Sequence, residues 1–248
     1  MTLRLGVLVS GRGTNLQALL DACAWGESAR PGETRLDARV VYVAANHAGG
    51  PALERAARVG VPSGTFVVRR GASDATATSD AAAWTPRTPV EAPASGVRVF
   101  ADRAAAHAAM AEAIAAARAD LVVLAGFDRV LDPAFFARLA GIPVINVHPS
   151  LLPAHGGRGM LGTRVHQAVL ASGDRESGAT VHRVEPDSVD GGEILVQRRV
   201  PVLPGDHVAS LAARVLAEEH VALVEAVGLF EQRRGGRDRS GPEPRPVV

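Results

Sequence analysis

The 248 residues are 47% apolar and carry 27 basic against 26 acidic side chains, a formal net charge of +1. A chain of this length buries a full core as one large domain or two small ones, and so even a charge balance favours small-molecule partners over nucleic acid or an anionic membrane. Every basic residue is arginine, which excludes a Schiff base, a pyridoxal phosphate anchor and a Walker-type nucleotide loop, and the single Cys23 excludes an internal disulfide and a thiolate-rich metal site.

Leu3 to Val9 is an apolar run ending in Ser10-Gly11-Arg12-Gly13-Thr14, and Asn15 to Cys23 reads as a helix with Leu16, Leu19 and Leu20 on one face. The same order of strand, loop and helix returns in the β-branched run Arg39 to Ala45, the helix Pro51 to Val59 with proline in its first turn, and a third strand at Gly64 to Val68. From about Arg70 to Gly96 periodicity is lost among Ser, Thr, Ala, Pro and Gly, which reads as a flexible surface insert. A helix from about Ala101 to Arg118, a buried strand from Leu121 to Ala125 and a short helix opened by Asp132 and Pro133 follow. A fifth strand, Pro143 to Val147, delivers the chain into His148-Pro149-Ser150-Leu151-Leu152-Pro153.

Beyond Gly156, Gly157, Gly159 and Gly162 come a helix near Thr163 to Ala171, strands near Ala179 to Val184 and Glu193 to Val200, and a long helix from about Asp206 to Glu231. The fold class expected is α/β: a Rossmann-like, mostly parallel sheet with helices on both faces and antiparallel edge strands toward the C-terminus. Residues 1–232 read as one domain, and Arg233 to Val248, rich in Gly, Pro and Arg, as a disordered tail. No apolar run approaches a bilayer span and no leader is visible, so a cytoplasmic protein, monomeric or homodimeric, is expected.

Three motifs carry candidate chemistry. Gly11, Arg12, Gly13, Thr14 and Asn15 sit where a strand hands over to a helix at the carboxyl edge of the sheet, a natural phosphate site. Leu16 stands where a dinucleotide fingerprint needs glycine, so a single phosphate fits better, with a tight unliganded turn as the alternative. Asn146 and His148 alternate onto one side of a strand that is otherwise apolar, where a buried amide costs roughly 1 to 3 kcal/mol unless hydrogen-bonded. A histidine satisfied by the backbone is the plain alternative. Asp190-Gly191-Gly192 is an adequate turn, and gains chemistry only if the fold brings Asp190 to His148, where a carboxylate would charge the ring and fix its tautomer. Together the three side chains would stabilise an acyl-transfer transition state, with Asn146 and protonated His148 donating to the growing oxyanion. No serine elbow or zinc helix is present, and no metal is expected.

These residues resemble the folate-dependent phosphoribosylglycinamide formyltransferases along nearly the whole chain. Leu8 to Gln17 resembles the family's ribonucleotide phosphate loop, Leu124 to Leu131 the segment whose backbone holds the folate pterin, and Ile145 to Pro153 the formyltransferase signature. The resemblance implies Asn146, His148 and Asp190 as catalytic, and Gly11, Arg12, Gly13, Thr14, Asn15 and Glu219 as ribonucleotide-binding. It implies Arg103, Asp128, Arg129, Val130, Leu131, Asn146, Pro186, Asp187, Ser188 and Val189 as folate-binding, with 10-formyltetrahydrofolate as co-substrate and glycinamide ribonucleotide as formyl acceptor. Asp128 departs from the apolar residue usual there, the Gly156 to Gly162 stretch is longer than in the shortest members, and one extra residue separates His182 from Asp190. The signature is shared by methionyl-tRNA and sugar-nucleotide formyltransferases and by the formyltetrahydrofolate hydrolase, so the acceptor rests on the N-terminal loop.

Overall fold

The computed structural model describes residues 2–23, 35–69 and 96–234. In chain order the elements are β1 (Leu3–Val9), α1 (Thr14–Ala22), β2 (Ala38–Ala45), α2 (Pro51–Arg58), β3 (Ser63–Val68), β4 (Val97–Phe100), α3 (Arg103–Ala116), β5 (Leu121–Leu124), α4 (Pro133–Leu139), β6 (Val144–His148), α5 (Thr163–Ser172), β7 (Glu176–Arg183), β8 (Ile194–Pro201) and α6 (Val208–Arg234). The strands form one sheet in the order β4-β3-β2-β1-β5-β6-β7-β8. Pairing is parallel from β4 through to β6, then antiparallel from β6 to β7 and from β7 to β8. The expected class, helices on both faces of a mostly parallel sheet with an antiparallel C-terminal edge, is the class observed.

Burial on both faces explains why the central strands are apolar runs rather than alternating ones. Leu5, Val7 and Val9 of β1 join Val123, Ile145 and Val147 in a core covered by α1, α2 and α6, while Leu8 joins Val122, Leu124 and Val144 in a second core under α3 and α4. Gly6 on that second face lets α3 approach: a Cβ there would lie 2.7 Å from Ile114. Chain direction across the sheet reverses between β1 and β5, and the carboxyl ends flanking such a switch point are where open α/β sheets hold ligands.

Strand β4 escapes a reading by apolar pattern, and the run expected as the fifth strand is therefore the sixth. It is only four residues long and lies at the edge, with Val97 and Val99 turned outward at 59% and 58% exposure. Arg98, also exposed, lies on the other face, with its guanidinium stacked over Phe66 at 4.3 Å from the centroid. The proposed insert falls outside the described residues from 70 to 95. At the other end α6 continues through Arg233 and Arg234, which the sequence assigns to the tail: Arg233 stacks on Phe230 and Arg234 pairs with Asp120. Residues 235–248 lie outside the described residues.

His107 ties α3 to α4. Its Nδ1 accepts a hydrogen bond from the backbone N–H of Asp132, the N-cap of α4, at 3.0 Å, so the ring must be neutral with its proton on Nε2. Burial pushes its pKa down from 6.5 to about 4, and the Arg103 charge adds to this. Between those two values the unfolded chain binds the proton and the folded one does not. Stability is therefore fully present above about pH 6.5 and falls as the pH drops toward 4, by about 3 kcal/mol in total from this group. Urea unfolding of His107→Gln, whose amide oxygen can still accept the Asp132 N–H, is expected to depend less on pH across this window than the wild type. Equal slopes would mean that other groups carry the dependence.

Candidate active site

The loop after β1 is shaped by Gly13. It caps α1 in the left-handed region at φ 69°, and a Cβ would lie 2.6 Å from that of Ala52 in α2, so both conformation and packing require glycine. Gly11 and Arg12 are exposed beside it, with Thr14 half-buried. Arg55 of α2 holds the loop from beneath, donating from Nε to the Arg12 carbonyl at 3.0 Å and from Nη1 to Gln17 at 2.8 Å. Asn15 is buried and donates from Nδ2 to Glu219 of α6 at 2.8 Å, while its Oδ1 has no partner among the described residues. Burial raises the Glu219 pKa, against the lowering effect of that hydrogen bond.

Two strands away, alternation in β6 sends Asn146 and His148 to the face bearing Val144. The antiparallel register sets Asn146 opposite His182 and His148 opposite Thr180. Asp190, at φ 58°, comes back from the excursion between β7 and β8 to stand between both histidines: Oδ2 is 3.5 Å from His148 Nδ1 and Oδ1 is 3.5 Å from His182 Nε2. Asp190 thus does more than turn the chain. The His182 ring, 2% exposed, has Nδ1 2.8 Å from the Arg183 carbonyl and Nε2 3.2 Å from the Asn146 amide nitrogen.

The segment after His148 is fixed from below. Thr180 donates to the Ser150 carbonyl at 2.6 Å and accepts from Leu152 N–H, Gln197 spans the Leu152 carbonyl and Thr180, and the Leu152–Pro153 peptide is cis. Two backbone groups then reach the dyad: the His155 carbonyl lies 2.9 Å from His148 Nε2, and Gly157 N–H donates to Asp190 Oδ2 at 2.9 Å.

Burial works to raise the Asp190 pKa, but the hydrogen bond with His182, the neighbouring His148 ring and Gly157 N–H outweigh it, so the pKa lies below the usual carboxylate range. Burial lowers the pKa of His148, and the upward pull of Asp190 and the His155 carbonyl does not fully compensate. The sequence reading makes His148 a cation; in the structure burial instead favours a neutral ring at neutral pH.

Of the residues expected to meet folate, Asp128, Arg129 and Val130 are exposed in the turn after β5, with Leu131 buried beneath them. Arg103 opens α3 one turn before His107, whose ring packs on Phe127 at 6.1 Å, so it approaches the same segment. Pro186 and Asp187 are exposed, and Ser188 and Val189 half-buried, in the excursion that ends at Asp190. Asp128 joins three strand ends: Ser10 Oγ donates to it at 2.9 Å, Asn46 Nδ2 at 2.7 Å, and His47 Nε2 stands 3.2 Å away. Among the described residues, no group of three His, Cys, Asp or Glu side chains is arranged to hold a metal ion.

Sequence reasoning misses His182, His155 and Gly157. His182 is visible only once β7 is registered against β6, and the other two act through backbone atoms, which no residue type announces.

Residues 3–227 match the family model described as formyl transferase. Phosphoribosylglycinamide formyltransferase of Escherichia coli is 34% identical over 92% of this chain and 87% of its own length; that of Haemophilus influenzae is 30% identical over 93% and 88%. The trifunctional purine biosynthetic protein adenosine-3 of Drosophila melanogaster is 36% identical over 92% of this chain, which spans 14% of that protein's length. The solved structure of glycinamide ribonucleotide transformylase 1 from Symbiobacterium toebii superposes with a TM-score of 0.70 at 36% identity, covering 94% of this chain and 89% of that one. With nearly the whole described fold inside the matched range, the chain belongs to the formyl transferase family.

Proposed function

We propose that this protein transfers the formyl group of 10-formyltetrahydrofolate to the amine of glycinamide ribonucleotide, giving formylglycinamide ribonucleotide and tetrahydrofolate in purine synthesis. The observation that carries this reading is the convergence of Asn146, His148 and Asp190 beside a strand end, two strands from the glycine-containing loop that opens α1. Two interstrand spacings, about 10 Å, match the reach of the ribonucleotide from phosphate to amine. Gly11, Arg12, Gly13, Thr14 and Asn15 take the phosphate, and the Asn15–Glu219 pair takes the ribose; the orphaned Asn15 Oδ1 is the kind of unsatisfied buried acceptor that marks a functional site. Arg103, Asp128 to Leu131 and Pro186 to Val189 take the folate. The catalytic unit is residues 1–232, acting in the cytoplasm as a monomer or homodimer.

In the reaction the neutral amine attacks the formyl carbon, a C–N bond forms, and negative charge collects on the formyl oxygen. Asn146 Nδ2 and His148 Nε2–H donate to it. The growing charge raises the affinity of His148 for a second proton, which solvent supplies at Nδ1, where Asp190 stabilises it, and which returns to solvent when the intermediate collapses. Collapse breaks the bond to the folate nitrogen, and the amine proton passes to that nitrogen through water. Holding both substrates on one frame makes the encounter effectively unimolecular.

His148→Ala is expected to lower turnover by roughly 10²- to 10³-fold, the usual effect of losing an oxyanion donor, while leaving ribonucleotide affinity within a few-fold. The assay is the absorbance change on consumption of formyl donor with and without ribonucleotide. Unchanged turnover in the variant would remove His148 from the chemistry, and consumption without ribonucleotide in the wild type would point to the hydrolase instead. Asn15→Ala is expected to weaken ribonucleotide binding about tenfold, roughly the worth of one hydrogen bond to a charged partner, with the folate KM unchanged. Calorimetric titration with the ribonucleotide checks this, and an unaltered Kd would mean that the loop holds something else.

A further inference from the structure

Residues 155–157 touch both members of the His148–Asp190 dyad through backbone atoms, the carbonyl of His155 on one and the N–H of Gly157 on the other. The approach depends on small residues: Gly157 has φ 93°, and a Cβ on Gly156 would lie 2.5 Å from Leu152 and 3.5 Å from Asp190. The His155 side chain points the other way. Its Nε2 is 2.6 Å from Asp174 Oδ2, just past the C-cap of α5, and Ser172 Oγ donates to the same oxygen at 2.8 Å. His155 itself sits in the left-handed region at φ 54°, uncommon for a residue with a Cβ, so an anchor outside the segment is needed to hold it there.

We propose that His155 and Asp174 are positioning residues for the catalytic histidine: their hydrogen bond clamps the 155–157 segment onto the dyad, and the clamp sets which nitrogen of His148 carries the proton. A neutral imidazole has one N–H. Placed on Nε2 it donates to the His155 carbonyl at 2.9 Å, whereas placed on Nδ1 it would leave the Nε2 lone pair facing that carbonyl and reach Asp190 only at 3.5 Å. The short contact therefore selects the Nε2–H tautomer. That hydrogen is the one a formyl oxygen must accept, and an arriving substrate takes it over from the carbonyl. The other charged or titratable groups facing the ring, His182 from β7 and His166 from α5, oppose a positive His148 but offer its nitrogens no acceptor in place of the carbonyl. Asp174 is exposed in the turn between α5 and β7, so its replacement tests the clamp without opening the core.

The inference rests on the formyl-transfer reading for its kinetic consequence but not for its structural one, which separates the two failures. Asp174→Ala removes the acceptor, and His155→Asn removes the ring while keeping a residue that tolerates a positive φ. Each is expected to lower kcat five- to tenfold with the KM of both substrates within twofold, and the double variant is expected to be no slower than the slower single. Nitrogen-15 NMR of the histidine rings in the free protein should report His148 as the Nε2–H tautomer in the wild type and as a mixture in both variants. Wild-type kcat in either single variant, multiplying losses in the double variant, or an unchanged His148 tautomer would each overturn the clamp. If the wild type transfers no formyl group to the ribonucleotide, the functional reading fails, and the NMR comparison still decides the clamp.

Discussion

Strand β6 is where the sheet stops being parallel, and the candidate site depends on that change. A parallel neighbour on its far side would present side chains reached only through a long crossover. The antiparallel β7 instead sets His182 across from Asn146, and the chain leaving β7 loops back with Asp190. Val144 on the same face of β6 still lies in the core under α3 and α4, but Asn146 and His148, nearer the strand end, meet Asp190 and the 155–157 segment. The polar residues therefore occupy the stretch of β6 where the helical cover has ended and the loops begin.

That placement sets two opposing requirements. A donor to an oxyanion works best away from water, where its field is not screened, yet burial favours the neutral ring in His148, which is 4% exposed. Asp190 offsets part of the loss and is kept ionised by His182 and by Gly157 N–H, so the carboxylate stays charged although largely enclosed. In the proposed reaction such a histidine accepts a second proton most readily when negative charge appears beside it. A more exposed ring would rest as a cation more readily and stabilise the transition state less.

The parts legible in the sequence are those fixed by periodicity and by strand-end chemistry. Leu3 to Val9 and Pro143 to Val147 read as strands because the elements they form are buried on both faces, and the polar residues at their ends stand out against that background. The loop after β1 stands out because it carries Gly13, which is required twice over, by its φ and by the contact with Ala52. What stays hidden depends on register and on backbone atoms. His182 looks like any strand residue until Asn146 is set opposite it, and the His155 carbonyl belongs to no motif. Val97–Phe100 is hidden for the opposite reason, since its valines face outward at the edge while Arg98, itself exposed, covers Phe66.

Asp128 shows how a departure from the family pattern can be absorbed. A carboxylate near a loop expected to take a phosphate would repel it if left bare. Here Ser10 and Asn46 donate to Oδ1, His47 faces Oδ2 and Arg129 lies 3.7 Å away, so the charge is largely satisfied by its own neighbours, and against partial burial these contacts hold its pKa below the usual carboxylate range. The donors come from the ends of β1 and β2, while Asp128 follows β5 and returns its own backbone N–H to Ser10 Oγ at 2.8 Å. An apolar residue at this position could pack but could not bind two neighbouring strand ends to a third. Asp128 thus supplies a polar tie at the switch point of the sheet, between the loops proposed to take phosphate and folate.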